Sequence, residues 1–162
     1  MNSTAGVLSA NEPKFYQPIL LGGAIAGSLD LSGAFVTAWL RTGTTPVQIL
    51  HFVASGLLGD SSFNGGAKTA ALGAAFHYFI ATTVTTIYFL ASRKIKFLTD
   101  QPVVAGLLYG IAVYLFMNFV VLPISRVPRG NPTLIGRLIG MLVIMFCIGL
   151  PIALIVRRFA KQ

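Results

Sequence analysis

Four stretches of the chain, at 19–40, 69–91, 103–124 and 134–156, are apolar almost without interruption, and the polar residues gather between them. Each is long enough to cross a hydrocarbon layer of about 30 Å, which takes roughly 20 helical residues at a rise of about 1.5 Å each. Membrane-spanning strands would run for about ten residues and alternate apolar with polar side chains, and these stretches do neither. The pattern predicts an all-α polytopic membrane protein with four transmembrane helices in one domain. Pro151, inside the fourth stretch, predicts a kink, because proline has no N–H to give to the carbonyl of Cys147.

The segment between the first two stretches carries a helix of its own. Thr44 and Thr45 before Pro46 read as an N-cap followed by proline in the first turn. Val47, Ile49, Leu50, Phe52, Val53, Leu57 and Leu58 supply an apolar surface, with Gln48, His51 and Ser55 on the opposite stripe. A helix over 46–58 is too short to span, so it is expected to lie in the membrane interface or to cover the mouth of the bundle. Gly59, Asp60 and the Asn64-Gly65-Gly66 run end it with turn chemistry. Between the third and fourth stretches, Pro123, Arg126, Pro128, Arg129, Gly130, Asn131 and Pro132 predict an irregular loop.

Composition agrees with this pattern. Apolar residues make up 55% of the chain and charged ones 10%, with a mean hydropathy of +0.79. Of the 12 Lys and Arg and the 4 Asp and Glu, only Asp30 and Arg137 fall inside the stretches, and Arg137 is close enough to an end to reach the interface. The net charge of +8 therefore belongs to the flanks, where anionic lipid headgroups account for it without nucleic acid. Lys14, Arg93, Lys94, Lys96, Arg157, Arg158 and Lys161 share one side, against Arg41, Lys68, Arg126, Arg129 and Arg137 on the other. That excess favours both termini in the cytoplasm over the reversed orientation. The first stretch is too long for a signal-peptide core and reads as a retained span, with the mature chain starting near Met1. Cys147, the single cysteine, has no disulfide partner within the chain and reads as buried apolar filler.

Candidate chemistry lies on the inner faces. Around Asp30 the helical face holds Gly23, Ala26, Gly27, Gly33, Ala34 and Thr37, so the carboxylate points at another helix. Around His77 lie Ala70, Gly73, Ala74 and Ala81. Counted from the side they share, Asp30 and His77 both sit roughly 12 to 15 Å deep, which permits a direct or water-bridged pair. Gly106, Gly110, Tyr114 and Asn118 form a stripe on the third helix, with the Tyr114 hydroxyl a third candidate member of the polar group. Gly136-x-x-x-Gly140 offers a close-packing face on the fourth.

A carboxylate at a helix centre costs about 2.5 to 3.5 kcal/mol to insert, so Asp30 needs a partner or a task. One reading is a polar pair that holds two helices in register, and the other a proton relay through His77. Enzyme chemistry fares worse. An aspartyl dyad needs two buried carboxylates, Ser28, Ser32 and Ser55 stand in no nucleophile motif, and His51, His77 and Asp60 are too dispersed for a metal signature. The expectation is a structural or accessory membrane component with no cofactor or metal, or else a small proton-coupled or solute permeation unit acting as an oligomer. Its expected partners are the lipid bilayer, anionic headgroups, and a second copy or another membrane protein.

The strings Val53-Ala-Ser-Gly-Leu-Leu-Gly59, Thr69-Ala-Ala-Leu-Gly-Ala-Ala-Phe-His77, Phe89-Leu-Ala-Ser-Arg-Lys94 and Tyr114-Leu-Phe-Met-Asn-Phe-Val-Val-Leu-Pro123 resemble an uncharacterised family of small bacterial inner-membrane proteins with about four spans. The likeness runs from Gly22 to Ser125, is less distinctive in the last span, and includes Asp30, His77 and Asn118. It implies a bacterial membrane location and brings no activity with it.

Overall fold

A computed structural model describes residues 15–128, 130 and 133–160, and among these the regular structure is helical throughout. Met1, Lys14, Arg129, Asn131, Pro132 and Lys161, named above from the sequence, lie outside the described residues. In chain order the helices are α1 (Gln17–Thr42), α2 (Pro46–Leu58), α3 (Gly66–Ser92), α4 (Phe97–Asp100), α5 (Pro102–Ile124) and α6 (Leu134–Ala160). Of these, α1, α3, α5 and α6 are long and apolar enough to cross a membrane.

The helix ends follow local chemistry. Gly43 stops α1 at φ 67°, a left-handed conformation that glycine adopts without strain, and its N–H bonds the carbonyl of Trp39 at 2.9 Å. Thr45 opens α2 with a capping box: its side chain accepts from the Gln48 N–H at 3.4 Å, while Gln48 Oε1 accepts from the Thr45 N–H at 2.8 Å. A 3₁₀ turn, Gly59–Asn64, leads from α2 into α3. Two helices contain π turns, Met117–Val121 in α5 and Met145–Gly149 in α6, and each ends two residues before a proline, Pro123 or Pro151. Proline leaves the carbonyl four residues back without its donor and crowds it, and a wider turn relieves both faults. The predicted distortion at Pro151 thus takes the form of a π turn, and Pro123 does the same inside the last turns of α5.

The helices pack in the cyclic order α1, α3, α5, α6, and the seams differ. Contacts are dense at α1/α3, α1/α6 and α5/α6 but sparse between α3 and α5. Glycine explains the close ones. A Cβ at Gly23 would fall 2.9 Å from the main-chain Cα of Thr82 in α3, and one at Gly110 would fall 2.5 Å from the Cα of Met145 in α6. Gly149 answers Gly106 and Gly110 from the α6 side, backbone against backbone. In lipid there is no hydrophobic drive between helices, so such approach is what lets dispersion forces hold them.

Packing is also uneven along the bundle axis. The buried cluster of Ile19, Ala26, Tyr88, Phe89, Ile148, Ile152, Ala153 and Val156 lies in the half that holds Gln17 and Ala160. In the other half, α1 has no buried residue after Gly27, α5 none after Gly110 and α6 none before Ile148. The bundle is therefore tight at one end and looser at the other. At the tight end the Tyr88 hydroxyl donates to the carbonyl of Leu98 at 2.9 Å, and the Tyr88 and Tyr109 rings meet edge to face at 4.9 Å.

Helix α2 packs on α3 with His51 and Ser55 of its polar stripe inward and Gln48 exposed. His51, Ala54 and Ser55 are buried, whereas Val47, Phe52 and Leu57 are about half exposed at 51%, 45% and 54%. His51 Nε2 lies 2.9 Å from the carbonyl of Gly66, and a Cβ at Gly73 would collide with the carbonyl of Leu50. Of the apolar surface read from the sequence, Val47, Phe52 and Leu57 face away from the protein, whereas Ile49, Leu50, Val53 and Leu58 are partly buried.

Candidate functional site

Asp30 and His77 are brought together where the tight half of the bundle gives way to the loose half. Gly23 and Gly27 let α1 settle against α3, with Tyr78 and Ala81 filling the space a side chain at Gly27 would need. One turn further along α1 the carboxylate of Asp30 reaches the His77 ring, with Oδ2 at 4.0 Å from Nε2. That is ion-pair range but too long for a hydrogen bond. The bond that Nε2 does make is to the main-chain carbonyl of Gly27, at 2.8 Å. A carbonyl only accepts, so Nε2 carries a proton and His77 is the donor. Neither side chain is sealed, His77 being 14% exposed and Asp30 17%.

Polar groups continue outward from this pair. Ser28 Oγ and the Tyr78 hydroxyl are 2.9 Å apart across the same α1/α3 seam, and Ser32 returns its hydroxyl to the carbonyl of Ser28 at 2.7 Å. On the α6 side, Cys147 packs against α1, its Sγ 3.5 Å from a Cβ built at Gly33. The sequence reading treated Cys147 as filler. Its position near the middle of α6, nearly four turns from Leu134, carried no signal that it would pack against Gly33 of α1.

Tyr114 and Asn118 are placed elsewhere. The Tyr114 ring lies against Gly140, with Cε2 at 3.6 Å from a Cβ built there. Gly140 is seven residues from Cys147 along α6, about 10 Å of helix rise, so Tyr114 sits nearer the loose end than Asp30 does. Asn118 Nδ2 donates to the carbonyl of Tyr114 at 2.8 Å, a bond within its own helix. The glycines divide in the same way. Gly23, Gly27, Gly106 and Gly110 meet neighbouring transmembrane helices, Gly33 meets Val143, and Gly73 meets α2. Gly136 faces the guanidinium of Arg41, whose Nη2 donates to Thr133 Oγ1 at 3.4 Å.

The arrangement can hold α1 to α3 through the His77–Gly27 hydrogen bond beside Asp30, and at 4.0 Å a proton passes between imidazole and carboxylate only through a closer approach or a bridging water. Among the described residues, no group of three or more His, Cys, Asp or Glu is placed to hold a metal ion. Comparison with protein-family models, with curated proteins and with solved structures finds no match to this chain.

Proposed function

We propose that this chain is a structural or accessory component of a bacterial inner membrane, in which His77 and Asp30 lock α1 against α3. The observation that carries this reading is the direction of the His77 bond. Its Nε2 proton goes to the main chain of α1, where it ties helix to helix, and Asp30 flanks the ring at 4.0 Å. A group built only to relay protons gains nothing from a main-chain acceptor, since an amide carbonyl does not take up a proton in that range.

Cytoplasmic termini follow from the excess of Lys and Arg on the side of Arg93, Lys94, Lys96, Arg157 and Arg158. Placement of α2 in the opposite interface is supported by its outward Val47, Phe52 and Leu57, which the headgroup and acyl boundary would cover.

A second reading, a small proton-coupled or solute permeation unit acting as an oligomer, is favoured by one observation. Asp30 keeps 17% exposure where packing loosens, as a group reached from the open half of a bundle would. Flux separates the two. Proteoliposomes under a pH gradient are expected to show no more flux with wild type than with Asp30→Asn or His77→Ala, and both variants are expected to lose thermal stability in detergent. Flux that both substitutions abolish would overturn the structural reading.

A further inference from the structure

The seam between α3 and α5 is the one that glycine does not close. Along the facing stretches, Phe79 to Ile87 and Tyr109 to Val121, the single glycine is Gly110, and it points at α6. Bulky side chains face each other instead. At one end the two helices are joined, the Tyr109 hydroxyl donating to the carbonyl of Val84 at 2.7 Å. Beyond that clasp they leave a laterally open cavity of about 460 Å³, walled by Phe79, Val84 and Ile87 on α3 and by Tyr109, Val113 and Phe116 on α5.

Two properties of this cavity define what fits. It offers no free hydrogen-bonding group from Thr83, whose hydroxyl donates to the carbonyl of Phe79 at 2.8 Å. Its walls are hydrocarbon, so the occupant is too. A helix with its side chains is about 10 Å across and does not enter a space of this volume, whereas a single alkyl chain does. The cavity reaches Val121, three residues from the end of α5, so a chain enters from the loose end of the bundle.

Arg126, five residues past Val121, is the cation nearest the cavity along the chain. Arg126 follows α5 directly, and its N–H bonds the carbonyl of Gly56 in α2 at 3.0 Å. Because α2 packs on α3, this bond carries the connection from α5 across the head of the seam. The Arg126 side chain is exposed there, and no carboxylate among the described residues pairs with it. A guanidinium in this position matches the fork geometry of a phosphate.

We propose that the α3/α5 seam holds one acyl chain of an anionic phospholipid whose phosphate sits on Arg126. The probe is palmitoyl-oleoyl phosphatidylglycerol, titrated into the full-length protein in detergent and counted by native mass spectrometry, with the phosphatidylcholine of the same chains as comparison. Wild type is expected to retain one phosphatidylglycerol. Ala112→Trp, which fills the cavity from the α5 wall, is expected to weaken that retention by about tenfold or more. Thr83→Phe does the same from the α3 wall should the first variant fail to fold. Arg126→Gln is on the surface and leaves the fold intact, and it is expected to bring phosphatidylglycerol down to the level of phosphatidylcholine. Equal retention by wild type and either cavity-filling variant overturns the proposal. So does a wild type that does not distinguish the two headgroups, or a dimer cross-linked through this seam in place of bound lipid.

Discussion

The imidazole of His77 donates its Nε2 proton to the main-chain carbonyl of Gly27, 2.8 Å away on the neighbouring helix. Measured interhelical hydrogen bonds in membranes contribute about 0.6 kcal/mol on average and about 1.7 at most. Replacing His77 by Ala is therefore expected to lower stability within that range, and it also leaves Asp30 without its flanking ring. His77→Gln, which keeps a side-chain N–H donor, should retain part of the loss. Thermal unfolding followed by circular dichroism in one detergent measures both variants, and a His77→Ala protein as stable as wild type would remove the lock.

Gly110 and Gly140 make a matched pair of opposite sign. A methyl group at Gly110 meets the main chain of Met145 at 2.5 Å, which cannot yield without separating α5 from α6. At Gly140 the nearest atom is a ring carbon of Tyr114 at 3.6 Å, an ordinary contact. Gly110→Ala should cost about 1 to 3 kcal/mol through overpacking. Gly140→Ala should be neutral or stabilise by up to about 1 kcal/mol, because alanine is the better helix former. Unfolding midpoints in detergent compare them, and equal effects would count against the seam geometry.

Gly73 sits under the main chain of α2, where a Cβ would collide with the carbonyl of Leu50. Gly73→Ala should loosen α2 from α3 while leaving the α5/α6 seam unchanged. Hydrogen exchange read by mass spectrometry is expected to rise over 46–64 and to stay at wild-type levels over 134–160. Uniform change along the chain would mean that α2 is not held by this contact.

The outward face of α2 makes a prediction about depth. Nitroxide labels at Phe52→Cys and Leu57→Cys, introduced with Cys147→Ala, should collide more with oxygen and less with a water-soluble nickel chelate than a label at Asp60→Cys. Power-saturation measurements in liposomes give the ratio, and three equal values would place α2 in water and not in the interface.

Much of this architecture was legible because it follows from local composition. The start of α2 was visible in Thr45 and Pro46, since a capping box closes within four residues. Two stripes of small residues and a count of depth permitted an Asp30–His77 pair, and the two side chains lie 4.0 Å apart. Other features were hidden. The carbonyl of Gly27, which takes the His77 proton, has no signature because every residue carries a carbonyl. Helix α2 was read as amphipathic, but periodicity does not say which face meets the protein, and here the buried stripe is His51, Ala54 and Ser55. Tyr114 and Cys147 show the same limit: a helical wheel orders positions around one axis and is silent about the distance to the next helix.

The sequence by itself determined that there are four helices long and apolar enough to cross a membrane, and placed their ends to within four residues, because a membrane helix needs only its own apolar length and its own backbone hydrogen bonds. Tertiary structure decided which glycines meet a neighbour's main chain and which meet a movable side chain. It also decided that α1/α3, α1/α6 and α5/α6 close while α3/α5 stays open. Those outcomes depend on how far apart two helix axes lie. That distance is set jointly by residues remote in the chain, because a small residue at one seam brings the helices close only where the residue opposite presents its main chain or a side chain that fits the gap.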